Sequence, residues 1–430
     1  MKKRMIALLM TLLMTLLMTG SAVMTGCGGT SESESSSESA ETKEESSEDA
    51  VTISLLSWNN EENMTPFIEA FEEENPGIKV DLQYVPPVQQ YLDKFMVLSA
   101  ADQMTDMFYT TAENKKEVFE KGLAEDISDL EIFQRIDEKV SSIYGQDGKI
   151  YAFSPDAWVG GIFYNQDLFE QAGISEVPAT WDEFIDCCSK LQDIGVIPYL
   201  DDADNVNSIP QTLYQCEVIS QNPEADQEIN EGKATFVDYY TKPFEEWYND
   251  MLEPGLYNQM SLGLSAEQVT DMFATGQVAM VTSGPWNLEV YREKNPDLKF
   301  DSFPLSDKDG NVVLTGALNA GLSISSTSEH KEECKKFIEF MAEDENLVKW
   351  QETSGNAIVV EGIDYELDPV LDKYKDYVVD GAFYYTQVEW KNSAGIFKEM
   401  IAAVQDVIAG ADTIENVPKR LDEKNKELDE

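Results

Sequence analysis

Aromatic rings set beside amides and carboxylates are the chemistry this sequence offers. Trp58 is followed by Asn59 and Asn60, Trp286 by Asn287, and Asp156 stands two residues before Trp158. Tyr109 closes the run Met107-Phe108-Tyr109. An indole or phenol ring presents a flat apolar face, and a neighbouring amide or carboxylate supplies hydrogen bonds. A pyranose has the matching surface, apolar C–H faces inside a rim of hydroxyls. One ring over one such face buries about 50 Å², on the order of 1–2 kcal/mol by area, and carboxylates take hydroxyls in charge-assisted bonds. The same rings can also form a cage for a cation.

Other chemistries are poorly supplied. The chain has one histidine, His330, and five cysteines, Cys27, Cys187, Cys188, Cys216 and Cys334, with no Cys-x-x-Cys pair. A His/Cys metal site is not expected, and no cofactor is expected. His330 reads as a cap or a solvent-facing side chain, and Cys187 and Cys188 as small thiols within a helix. A disulfide through Cys216 or Cys334 stays open. Asp307-Lys308-Asp309-Gly310-Asn311 has the composition of a turn and lacks the later ligands of a calcium loop. Lys+Arg total 31 against 82 Asp+Glu, a net charge of −51. Nucleic-acid binding needs the opposite sign, so that class is set aside.

The elements that must position the rings follow in chain order. A chain of 430 residues is long enough for two or more domains. Lys2, Lys3 and Arg4 precede an apolar run from Met5 to about Met18, and small residues lead to Gly26-Cys27. That pattern reads as a secretory signal over residues 1–26. The run is shorter than the roughly 20 residues a membrane span needs. Residues 27–50 are rich in Ser and Glu and have no large apolar side chain, so they are expected to form a disordered tether. Val51–Leu56 is a strand, residues 64–71 a helix with Met64, Phe67, Ile68 and Phe71 on one face, and Ile78–Tyr84 a second strand. In an open α/β sheet ligands sit beyond the carboxyl ends of the strands. That places Trp58, Asn59 and Asn60 at such an edge, and Tyr109 at the end of a third strand. Thr180 and Glu183 form a capping box for a helix over residues 182–194. Gly276 ends another helix, a buried strand follows, and Gly284 and Pro285 turn the chain into Trp286. Phe300–Leu305 is expected to cross back towards the first sheet. Ile396, Met400, Ile401, Val404 and Ile408 line one face of a long helix that stops at Gly410.

Three stretches carry a resemblance. Residues 148–184 hold Gly148-Lys149, Pro155, Tyr164-Asn165, Gly173, and Pro178-Ala179-Thr180-Trp181-Asp182-Glu183 in that order. Residues 273–287 hold Phe273, Gly276, Ala279-Met280, Gly284 and Trp286. Gly316–Ser323 reads GALNAGLS. Together they resemble the extracellular solute-binding proteins of ABC importers, the maltose-binding-type family. The resemblance implies an α/β, periplasmic-binding-protein-like fold, with two lobes joined by a multi-segment hinge. Residues 51–157 and 304–345 would form lobe 1, and residues 158–303 and 346–430 lobe 2. The cleft would hold Trp58, Asn59, Asn60, Tyr109, Asp156, Trp158, Asp202, Trp286, Asn287 and Trp390, with Asp202 and Trp390 placed there by the resemblance alone. Met24-Thr25-Gly26-Cys27 looks like a bacterial lipobox, so Cys27 would be lipidated and hold the protein at the outer face of the cell membrane. The implied partners are a carbohydrate, closed upon by the lobes, and the permease subunits of the transporter, with the binding protein a monomer. Two readings stand beside this one. The same fold could bind a polyamine, a peptide or another non-sugar solute. A secreted glycoside hydrolase needs only two carboxylates about 5–9.5 Å apart.

Overall fold

The computed structural model describes residues 50–86 and 88–429. The expected signal segment, Cys27 and all of the tether except Ala50 lie outside the described residues. Among the described residues no helix is long and apolar enough to cross a membrane.

Three four-stranded sheets carry the architecture. In the first, Val51–Ser57 lies between Ile78–Tyr84 and Met107–Thr110, parallel to both. Gly321–Ile324 adds an antiparallel strand beside Met107–Thr110. The first crossover is the helix Glu61–Glu74, which turns Met64, Phe67 and Phe71 onto the sheet. The Asn60 side chain caps it by accepting the Asn63 N–H.

The second sheet runs Phe300–Phe303, Gly161–Asn165, Val278–Ser283, Ile197–Leu200. Two cores meet at this sheet. Phe163 and Leu200 pack with Phe273 and Tyr291, while their neighbours Ile162 and Tyr199, which face the opposite side of the strand, pack with Trp181, Phe184, Tyr214 and Tyr240. Helix Trp181–Asp193 starts at Thr180, whose hydroxyl accepts the Glu183 N–H. Glu183 returns its carboxylate to the Ala179 N–H, one residue before the expected partner.

The third sheet is made of the chain passages between the other two. Asp156–Val159 pairs antiparallel with Leu314–Leu318 on one side and Ala357–Ile358 on the other. Phe383–Tyr384 joins at the far edge, parallel to Leu314–Leu318. The expected return at Phe300–Leu305 is corrected here. Phe300–Phe303 stays in the second sheet as an edge strand paired with Gly161–Asn165, and the return is made by Leu314–Leu318. Residues 346–358, expected in the second lobe, pack on the first. Trp350 meets Phe67 with ring centroids 5.9 Å apart, and Leu347 lies in the core that holds Phe71. The carboxyl-terminal helices Ser393–Ile408 and Asn416–Asp429 cover the second sheet, burying Ile396, Met400, Val404 and Leu421. Cys216 and Cys334 are buried free thiols, as are Cys187 and Cys188, so the open disulfide reading is not realised.

Candidate functional site

The aromatic side chains singled out from sequence fall into three places. Trp58 follows the first strand and is half-buried. It stacks on Tyr109, centroids 5.6 Å apart at 25°, and meets the edge of Tyr91 at 5.0 Å. Tyr109 is itself buried, its hydroxyl directed at the Met64 sulfur. Asn59 lies beside that phenol and takes the Ser57 hydroxyl as acceptor for its backbone N–H. Asn60 is committed to the helix cap. This part of the site therefore presents the Trp58 ring and the Asn59 amide at the carboxyl edge of the first sheet.

The second place lies where the crossing sheet meets the second lobe. Trp158 and Trp286 are edge to face, centroids 5.6 Å apart at 73°. Tyr385 meets Trp158 from another side at 5.1 Å and 77°. Trp286 is 57 % exposed, the most solvent-accessible tryptophan of the described chain's large apolar side chains. It is held in place by the turn before it. A Cβ at residue 284 would lie 2.4 Å from the indole ring, so only glycine lets the ring fold back over the backbone. Asn287 does not point away freely. Its amide donates to the Ser283 hydroxyl at 3.0 Å, and the Tyr291 hydroxyl donates to the same oxygen at 3.1 Å. Tyr385 was not foreseen. Its trace in the sequence is the aromatic run Phe383-Tyr384-Tyr385 after Gly381, which has no helical or alternating period to single out one ring.

The third place holds Trp390, and here the expectation is corrected. Trp390 is 4 % exposed and packs on Phe236 and Tyr240 in the second lobe's core. Its indole N–H donates to Asp226 at 3.0 Å. The hydroxyls of Tyr214, Tyr240 and Tyr384 donate to the same carboxylate, each at 2.8 Å. Burial pushes the Asp226 pKa up to about 6 against these four donors. Because Tyr384 is one of them, this network also anchors the segment that carries Tyr385.

The two expected acids are both engaged with the protein. Asp202 closes a turn, accepting from the Asn205 amide at 2.9 Å and the Asp204 N–H at 3.0 Å. Its neighbour Asp201 is the buried one, accepting from Tyr199 at 2.5 Å and Tyr257 at 3.2 Å, and burial pushes its pKa up to about 8. Asp156 is 1 % exposed. It accepts from the amides of Asn319 at 3.0 Å and Asn356 at 3.2 Å, and burial raises its pKa. The two lobes also meet through charge. Lys115, three residues before the buried Val118 of the first lobe, pairs with Glu389 at 3.2 Å, next to Trp390 of the second. No cluster of three or more His, Cys, Asp or Glu able to hold a metal occurs among the described residues.

An exposed indole at right angles to a second ring, set at the junction of two lobes, can cover an apolar ligand face and leave its polar rim to nearby amides and hydroxyls. The comparisons with known proteins agree with the architecture. The sequence profile described as a bacterial extracellular solute-binding protein matches residues 67–379. The chain is 25% identical over 328 residues to the multiple sugar-binding protein of Streptococcus mutans, covering 74% of this chain and 77% of that one. It is 24% identical over 375 residues to the melibiose/raffinose/stachyose-binding protein MelE of Bacillus subtilis, covering 83% and 86%. The structure of a family 1 extracellular solute-binding protein from Bifidobacterium longum subsp. infantis superposes with a TM-score of 0.79 at 29% identity, over 88% of this chain and all of that one.

Proposed function

We propose that this chain, which belongs to the bacterial extracellular solute-binding proteins, captures an oligosaccharide between its two lobes for an ABC importer. The observation that carries the reading is the exposed Trp286 ring standing edge to face with Trp158 at the lobe junction. Trp286 would cover a sugar face from the second lobe, Trp158 and Tyr385 from the crossing between the lobes, and Trp58 and Asn59 would meet the ligand from the first. Asn287 would act by holding the Trp286 turn. The sugar-binding relatives support an oligosaccharide over a polyamine or a peptide. The protein would release its ligand unchanged. Closing the lobes excludes water and strengthens the hydrogen bonds inside, and the closed pair is the form the permease subunits would recognise.

Residues 1–26 would direct export and Cys27 would carry the lipid, leaving a monomer on the outer face of the cell membrane. The Ser/Glu-rich residues 27–50 would hold the lobes clear of it by like-charge repulsion. The test is a thermal-shift screen against raffinose, stachyose, maltooligosaccharides and spermidine, followed by calorimetry and chromatography of the recovered ligand. A shift with an oligosaccharide that is recovered intact is expected. A shift with spermidine alone, or cleavage of the sugar, overturns the proposal.

A further inference from the structure

Asp156 was expected to face a ligand, yet its carboxylate is spent on the protein in a particular way. Its strand, Asp156–Val159, is the middle one of the three antiparallel passages. Asn319 is the first residue after the passage Leu314–Leu318, and Asn356 the last before Ala357–Ile358. Oδ1 accepts from the Asn319 amide and Oδ2 from the Asn356 amide. The backbone adds a bond from the Asn319 N–H to the Asp156 carbonyl at 3.0 Å. One buried side chain thus ties all three passages together, and it does so at their first-lobe end.

The other end is built differently. Asp156–Val159 leaves the crossing sheet at Gly160, whose N–H makes a 2.8 Å bond to the Thr315 carbonyl. Gly161 already pairs with Ser283 in the second sheet. The change of sheet therefore takes place across two consecutive glycines, the residues with the widest backbone freedom. Thr212 and Thr282 from the second lobe and Thr315 from the crossing line a small gap beside them.

We propose that Asp156 is a positioning residue whose bonds to Asn319 and Asn356 fix the crossing sheet to the first lobe, so that lobe movement bends the chain at Gly160–Gly161. Trp158 shares a strand face with Asp156 and travels with the first lobe, and its contact with Trp286 is a contact between moving bodies. Asp156 acts through Trp158 and the lobe angle, without touching ligand. This builds on the two-lobe capture proposed above, but its test needs no ligand.

The test uses the full chain with C27S, and spin labels at E69C on the exposed side of the first helix and D193C at the end of helix Trp181–Asp193, both exposed positions. The label-to-label distance distribution is measured by pulsed electron resonance in the absence of sugar. D156N turns one acceptor into a donor facing a donor. The distribution is expected to widen at least twofold, with near-ultraviolet circular dichroism unchanged. D156N combined with N319D restores donor-to-acceptor pairing at both amides and is expected to recover the wild-type width. A D156N distribution as narrow as wild type, or a double variant as wide as D156N, overturns the positioning role even where thermal stability falls. G160A, whose methyl group would meet the Ser283 carbonyl at 2.8 Å, must displace the backbone where the chain changes sheet, and the mean label-to-label distance is expected to shift. An unchanged distribution places the bend elsewhere. Failure of every sugar to bind would remove the proposed function and leave these ligand-free outcomes as they stand.

Discussion

The indole of Trp158 stands edge to face with that of Trp286, centroids 5.6 Å apart, although Trp158 lies in the crossing sheet and Trp286 in the short helical turn Pro285–Asn287 that follows a strand of the second sheet. Trp286 keeps more than half of its surface in solvent, so its removal should cost the fold little. The W286A chain is expected to unfold at nearly the wild-type temperature. It should bind the oligosaccharide selected by the thermal-shift screen at least about 5-fold more weakly, about 1 kcal/mol for one uncovered ring face. Calorimetry measures the second and a thermal melt the first. G284A should reproduce the binding loss, because the added methyl group displaces the ring.

Trp390 should behave in the opposite way. W390A opens a cavity between Phe236 and Tyr240 and removes one of the four donors to Asp226, so a loss of about 3–5 kcal/mol in stability is expected. W390F keeps most of the volume and loses the N–H, and a smaller loss is expected. Denaturant unfolding orders the three chains. A W390F chain with wild-type stability but weakened sugar binding would return this residue to the ligand site.

Asp201 and Asp226 are two of the acids whose raised pKa makes stability depend on pH. Asp201 is pushed up to about 8 and Asp226 to about 6 by burial, against about 3.9 for an unfolded aspartate. The folded protein therefore holds more protons than the unfolded one above about pH 4. Both contributions to stability are full below that value and decline as pH rises, the Asp226 part to about pH 6 and the Asp201 part to about pH 8. The melting temperature should fall between about pH 6 and about pH 8, and D201N should flatten that slope. A D201N chain with the wild-type slope would assign the proton elsewhere.

The ion pair between Lys115 and Glu389 links residues that flank different cores, and both partners keep some exposure. Its worth is expected below about 1 kcal/mol and to fade as salt shortens the Debye length below about 10 Å. K115M should shift the dissociation constant of the oligosaccharide selected by the screen less than about 5-fold and remove part of its salt dependence. Equal salt slopes in the two chains would show that the pair does not contribute to closure.

The four buried thiols should be silent in the folded protein. Burial raises the pKa of each, Cys187 to about 11 and Cys216 and Cys334 to about 12. A thiol reagent should label none of them until denaturant is added. Rapid labelling of Cys216 would mean that the second lobe opens locally.

The sequence is legible where chemistry and spacing are short-range. The helix after Asn60, the strand before Ser283 and the turn that frees Trp286 each depend on residues within a few positions of one another. Asn60 and Asp202 are taken up locally, by a helix cap and a turn, and the other misplacements concern where distant segments dock. Trp390 lies beside a rim segment in sequence, yet its indole N–H is drawn inward by Asp226, 164 positions away. Phe300–Phe303 has the composition of any buried strand, and only its pairing with Gly161–Asn165 shows that it stays in the second sheet. Tyr385 and the two asparagines on Asp156 were missed for the same reason. Each acquires its role from a partner brought near by the crossing sheet.

The crossing sheet also bears on heredity. Neither half of the molecule is encoded by one uninterrupted stretch of gene, since Gly321–Ile324 completes the first sheet long after Gly161–Asn165 has begun the second. A recombination break anywhere between them would sever a strand from its neighbours. Halves cannot be exchanged whole between cousins, so a new appetite has to be acquired by substitutions made in place on the two facing rims.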